Sequence, residues 1–233
     1  MRESLAQLAC WEAIARDPAY RTPMQQMLVE DDAEAATREG IIDREEVLAL
    51  LPTLPPGAHA VEFGAGLRRF TEALAARAAR VSASDFVQAY VDGNRARCLE
   101  LGLAHVTVER ADAVTAAIPQ GVGLVFFNWL LEYFTDEEAP CFLARCAAAL
   151  APGGYLFFRE ACDEEDAGLE RRYAHWSSDY PARYRAPRWY TEALSLATRD
   201  LPGTLLRRAE VLPLWTAAYP STPQCAWLWQ RAT

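Results

Sequence analysis

No lysine occurs among the 233 residues, so all 23 basic side chains are arginine. This removes the amine that forms Schiff bases and the cation most easily tuned as a proton carrier. The arginine bias fits the codon usage of a GC-rich, bacterial genome. Histidine is scarce too. His59, His105 and His175 have no clustered partners, so no metal site is expected and all three read as surface residues. The six cysteines form no C-x-x-C pair, which fits idle thiols in a reducing compartment rather than a disulfide frame or a zinc site. No run reaches membrane-spanning length and no apolar segment follows Met1, so a soluble, cytoplasmic protein is expected, with no membrane partner. Positive charge is in deficit, with a net charge of −9. That speaks against nucleic-acid partners, which need a basic surface. A small-molecule substrate remains, and oligomeric state is not legible.

What is present is an apolar chain, 52% hydrophobic, large enough to bury a full core. The first part reads as helical. Leu5, Leu8, Trp11, Ile14 and Ala15 follow helical spacing, Met24, Met27 and Leu28 form a second short face, and Asp43-Arg44-Glu45-Glu46 reads as the cap of a helix through Leu51. Pro55-Pro56-Gly57 then ends a helical cap over 1–57. From there strands and helices alternate: strands at Ala60–Phe63, Val81–Ser84, His105–Glu109, Leu124–Phe127 and Tyr155–Arg159, with a helix over Phe70–Ala79 after the first. Thr135-Asp136-Glu137-Glu138 reads as a capping box. Two late strands, Leu205–Trp215 and Ala226–Gln230, close the sheet. The expectation is an α/β, doubly wound, Rossmann-like fold with a seven-stranded, mostly parallel sheet. Its parts are an N-terminal helical cap, a core over 58–162, a lid insertion over 163–200 and closing strands over 201–233, one domain overall.

The most informative run is Val61-Glu62-Phe63-Gly64-Ala65-Gly66, followed nineteen residues later by Asp85. A strand enters a glycine turn, a helix follows, and a second strand ends in an acid. Such a unit grips a nucleoside: glycines admit close backbone approach, and the acid meets the ribose hydroxyls. Glu62, Asp85 and Asp112 lie at or just past the carboxyl ends of successive strands, the edge where open α/β sheets hold ligands. Asp85 suits the ribose diol and Asp112 the exocyclic amine of adenine.

With these residues the chain resembles the class I S-adenosylmethionine-dependent methyltransferases, and among them the phosphoethanolamine N-methyltransferases of plants and nematodes. The matching stretches are Asp43–Pro52, the glycine run through Arg69-Phe70-Thr71, Asn128-Trp129-Leu130-Leu131 with Tyr133, Pro152–Tyr155 with Phe157–Glu160, Tyr184-Arg185 with Tyr190, and Cys225 with Trp227, Trp229 and Gln230. The resemblance implies S-adenosyl-L-methionine as cofactor, with Glu62, Gly64, Gly66, Asp85, Phe86, Asp112, Ala113 and Asn128 at its site. It also implies an acceptor pocket with Trp11, Tyr133, Tyr180, Tyr184, Arg185 and Tyr190, in which arginine meets phosphate and tyrosine faces meet the amine. Tyr180, Tyr184, Trp189 and Tyr190 also read simply as the core of a lid. Tyr184 and Glu132 are the candidate catalytic residues. Glu132 reads either as the proton acceptor or as an exposed acid before the capping box.

The departures concentrate in the acceptor half. Arg68 replaces the third glycine of the family's first motif, Cys10, Ile14 and Ala15 replace polar groups, and Ala161 replaces a serine. The leading expectation is methyl transfer to a small-molecule amine. Two others are compatible with these residues. One is cyclisation of S-adenosylmethionine to azetidine-2-carboxylate and methylthioadenosine, and the other is a catalytically silent protein that only binds.

Overall fold

The computed structural model describes residues 3–28, 30–67, 69–163, 182–218 and 223–233. Arg68, His175 and Tyr180 lie outside the described residues, as do residues 164–181 of the expected lid.

Three helices come first: α1 (Glu3–Arg16), α2 (Pro23–Leu28) and α3 (Ala33–Leu50). The α/β core follows, with β1 (His59–Phe63), α4 (Thr71–Ala75), β2 (Arg80–Asp85), α5 (Gln88–Glu100), β3 (Val106–Arg110) and β4 (Val122–Asn128). A 3-10 turn over Leu131–Tyr133 leads into α6 (Glu138–Ala149) and β5 (Leu150–Ala161). The chain closes with α7 (Pro187–Thr198), β6 (Gly203–Val211), α8 (Pro213–Ala218) and β7 (Gln224–Arg231).

The strands form one seven-stranded sheet in the order β3-β2-β1-β4-β5-β7-β6. The first five are parallel, and β7 enters antiparallel between β5 and β6. The chain runs outward through β1, β2 and β3, then returns to β4 beside β1. This reversal opens a crevice at the carboxyl ends of β1 and β4.

All seven residues of β4 are buried, as a strand covered on both faces must be. Alternate residues feed two cores. Phe63, Phe127, Phe158 and Trp227 pack towards α6 and α7, whereas Ala60, Leu124, Phe126 and Phe157 pack towards α3, α4 and α5. In-register pairing stacks Phe126 on Phe157, Phe127 on Phe158 and Phe158 on Trp227, with ring centroids 5.5, 5.3 and 5.0 Å apart. Stacked rings across neighbouring strands tie β4, β5 and β7 into a stiff platform.

Several expectations are corrected. Asp43 is no cap: α3 begins ten residues earlier, where Asp32 Oδ1 accepts the N–H of Glu34 and Ala35 at 2.8 and 3.0 Å. Nothing from Ala33 to Leu50 breaks a helix except Gly40, and Met24 packs where its Cβ would stand. The helix after the glycine turn is shorter than expected and ends at Ala75. Strand β6 stops at Val211, because Pro213 opens α8 instead. Glu46 of α3 holds that helix, accepting the N–H of Leu214 and Trp215 at 2.8 and 3.0 Å. His59 is buried, not on the surface, between Ser82 Oγ and Arg80 Nη2 at 2.8 Å each. The last part of the expected lid is α7, which covers the sheet with Tyr190 and Leu194 in the core. The capping box forms as read: Thr135 and Glu138 exchange side-chain-to-backbone hydrogen bonds of 3.0 and 3.1 Å.

Candidate active site

A cavity of about 360 Å³ occupies the crevice beyond β1 and β4, roofed by α1 and α2. Gly64, Gly66, Asp85, Phe86, Asp112, Ala113 and Asn128 line it. Gly64 and Gly66 have φ of +64° and +53°, a region open to glycine at little cost. A Cβ on Gly66 would also stand 2.3 Å from the Met27 sulfur. Both positions therefore require the residue present.

Asp85 closes the motif. Its Oδ2 accepts the Gly66 N–H and its Oδ1 the Val87 N–H, both at 2.9 Å. Burial pushes its pKa up to about 6, against the backbone N–H groups of Val87, Gly66 and Phe86, which favour the charge. Each oxygen keeps a lone pair for a further donor, as a ribose diol demands. Tyr90, also in the lining, has a hydroxyl with no hydrogen-bond partner, and both polar ends of Asn128 are likewise unmatched. Buried polar atoms left open around a carboxylate and a glycine turn fit a bound nucleoside, because a ligand with donors and acceptors would satisfy them. Asp112 Oδ1 holds the Val114 N–H at 2.9 Å, fixing the loop after β3. Glu62 stands behind the cavity and does not line it. Its Oε2 accepts the Thr71 hydroxyl at 2.7 Å, and burial pushes its pKa up to about 8 despite that bond.

The other half of the cavity is aromatic and acidic. Trp11, Tyr133 and Tyr184 line it with Glu132. Trp11 meets Tyr90 and Tyr133 edge-on at 6.2 Å each, and Gln7 Nε2 donates to the Tyr133 carbonyl at 2.6 Å, so α1 forms part of the wall. Glu132 is 3% exposed, not the exposed acid that its sequence context also allowed, and its Oε2 has no hydrogen-bond partner. Burial first, then the charge of Glu160, raise its pKa well above the usual carboxylate range. Glu160 accepts the N–H of Leu130, Leu131 and Glu132 at 3.1, 3.0 and 3.4 Å. Burial still pushes it up to about 7.

Two expected acceptor contacts are not brought to the cavity. Arg185 is buried and turned into the protein, where Nη1 donates to the Leu131 carbonyl at 3.0 Å, Nη2 to Phe134 at 2.6 Å, and Nε to Asp136 at 2.9 Å. Its spacing beside Tyr184 could not reveal which way the fork points. Tyr190 is a core residue that packs on Trp227 at 5.2 Å, one of the two readings its sequence left open.

Sequence reasoning missed Gln7, Met27, Tyr90, Arg69, Trp129, Trp215 and Gln224, all in the lining. Arg69 forms an ion pair with buried Asp43 at 3.1 Å, and Arg159 pairs with the same carboxylate. Both guanidiniums lie over Trp129, at 4.3 and 3.9 Å from the ring centre. Burial lowers Arg69 to a pKa of about 9. Only the long-range fold unites these groups, and no local pattern signals them.

Residues 60–154 match the methyltransferase domain family. Phosphoethanolamine N-methyltransferase 1 of Triticum aestivum is 30% identical over 237 residues, covering 98% of this chain and 45% of the relative. The enzyme of the same name from Caenorhabditis elegans is 34% identical over 169 residues, 71% of this chain and 35% of the relative. The chain thus spans less than half the length of these relatives. Among solved structures, Haemonchus contortus phosphoethanolamine N-methyltransferase 1, in complex with phosphoethanolamine and S-adenosylhomocysteine, superposes with a TM-score of 0.76 at 23% identity, over 100% of this chain and 50% of its own. Geranyl diphosphate C-methyltransferase of Streptomyces coelicolor gives 0.69 at 15% identity, over 100% and 99% of the two chains. Residues 60–154 thus carry a methyltransferase domain, and the chain is homologous along nearly its whole length to part of the phosphoethanolamine N-methyltransferases.

Proposed function

We propose that the chain methylates the nitrogen of a small-molecule amine with S-adenosylmethionine as donor. The observation that carries this reading is Glu132, a buried carboxylate in the cavity wall whose Oε2 has no partner in the protein. When bound, S-adenosylmethionine supplies an electrophilic methyl on a sulfonium. Asp85 would take its ribose diol, the Asp112 loop its base, and Gly64 and Gly66 would admit it to the backbone. Glu132 serves the acceptor. An ammonium must lose a proton before its nitrogen can attack, and burial has made Glu132 basic enough to take that proton. Trp11, Tyr133 and Tyr184 offer ring faces to a cationic amine, and Tyr184 stays in the reading as an orienting contact. Alignment of nitrogen, methyl and sulfur in the cavity then contributes most of the rate.

Mass spectrometry of the purified protein with S-adenosylmethionine, with and without amines, tests this reading. S-adenosylhomocysteine together with a methylated amine, both dependent on the added amine, is the expected result. Methylthioadenosine released from the cofactor alone would overturn it in favour of cyclisation. A melting temperature raised by the cofactor with no product would point to a binding protein.

A further inference from the structure

The wall of the cavity carries six carboxylates among the described residues: Glu30, Glu39, Asp85, Asp112, Glu132 and Glu138. Among the described residues one guanidinium lines the same cavity, Arg69, and it is already paired with Asp43 at 3.1 Å. Arg185, the cation that the family resemblance assigns to a phosphate, donates from each of its three nitrogens to Asp136, Leu131 and Phe134, with its face 4.2 Å from the Trp189 ring. Behind Glu132 lies a second buried acid, Glu160, so among the described residues acidic groups and not cations gather where the acceptor would sit. A phosphate dianion brought there would lose its water and meet carboxylates, a combination that excludes a ligand more firmly than missing contacts do. An ammonium would meet the open Oε2 of Glu132 and the rings of Trp11, Tyr133 and Tyr184.

We propose that the acceptor is an amine whose other end carries no phosphate, an amino alcohol or similar neutral-tailed amine, held as ammonium between Glu132 and these aromatic faces. The inference rests on the N-methylation reading and narrows its substrate class away from phosphoethanolamine.

Matched pairs test it: ethanolamine, 3-aminopropanol and 5-aminopentanol, each against its own phosphate ester, with S-adenosylhomocysteine and methylated amine as readouts. At least one free amino alcohol should exceed its ester tenfold or more in kcat/KM, about 1.4 kcal/mol in transition-state binding. Titration of the S-adenosylhomocysteine-loaded protein should rank each pair in the same order, and Glu132→Gln should weaken the amino alcohol while leaving S-adenosylhomocysteine affinity unchanged. Esters that equal or exceed their alcohols would overturn this inference and leave N-methylation standing. Absence of S-adenosylhomocysteine with all six compounds, and with a wider amine panel, would overturn N-methylation itself and this inference with it.

Discussion

Glu160 accepts the backbone N–H of Glu132 at 3.4 Å, so a buried carboxyl of β5 sits against the turn that carries a second one. The charge of Glu160 is one of the causes that raise Glu132. Removing that charge should let Glu132 ionise at lower pH. In Glu160→Gln the acidic limb of the kcat profile is expected to move to lower pH, with a modest loss of stability from weakened backbone contacts. An unmoved limb in the pH–rate profile of the folded variant would show that Glu132 is not the group being titrated.

Asp85 accepts two backbone N–H groups and has lone pairs left for two hydroxyls. Each hydrogen bond to a charged group contributes about 1.5–3 kcal/mol. Asp85→Ala should therefore raise the cofactor dissociation constant by roughly 100-fold or more, measured by calorimetric titration. Affinity within threefold of wild type would remove the ribose assignment.

The buried acids set a pH dependence of stability. Folding moves Glu62 from 4.5 to about 8, Glu160 from 4.5 to about 7 and Asp85 from 3.8 to about 6. Between those unfolded and folded values the native state holds more protons than the unfolded chain, so stability falls as pH rises through the window. Each group contributes up to about 1.4 kcal/mol per pH unit while it is in its window. The melting temperature should be several degrees higher at pH 6 than at pH 8, and Glu62→Gln should flatten that slope. A melting temperature that rises between pH 6 and 8 would contradict the sign.

The parts of this molecule legible in its sequence are those governed by local rules. Glycines that need positive φ, an acid at a fixed distance, a capping box at Thr135 and an apolar run at β4 each carry their own signal. Of the acids at the strand ends, Asp85 and Asp112 line the cavity, whereas the Glu62 side chain points behind it, a matter of strand face rather than of spacing. Asp43 looked like a helix cap because its neighbours are charged. Its actual partners, Arg69 and Arg159, come from the glycine turn and from β5. The same holds for Arg185, where the residue type was legible and its direction was not. Trp129 adopts a φ of +53°, which no tryptophan signals in sequence, and that turn carries its ring under the two guanidiniums.

Asp43 is expected to be the most sensitive structural position. It is fully buried between two arginines, and Asp43→Ala would take from both guanidiniums the carboxylate they share. Breaking such a group by removing one partner costs about 3–5 kcal/mol. For a chain of this size that corresponds to a fall in melting temperature of roughly 6–20 °C. Calorimetry giving a drop below about 3 °C would show that water or rearrangement replaces the carboxylate.

Arg185 brackets the turn that carries Glu132 and Tyr133, with donors on the Leu131 carbonyl before it and the Phe134 carbonyl after it. Its role is to hold that turn, not to hold an anion. Arg185→Gln should therefore lower kcat by roughly 10- to 100-fold through misplacement of Glu132, since displacements near 1 Å cost that much. The cofactor dissociation constant should stay close to wild type, because Asp85, Gly66 and the Asp112 loop make no hydrogen bond to Arg185. Phosphate separates the two roles. An anion-binding arginine would give a protein inhibited by inorganic phosphate, with that inhibition lost in the variant. A positioning arginine leaves phosphate without effect on either protein while kcat still falls.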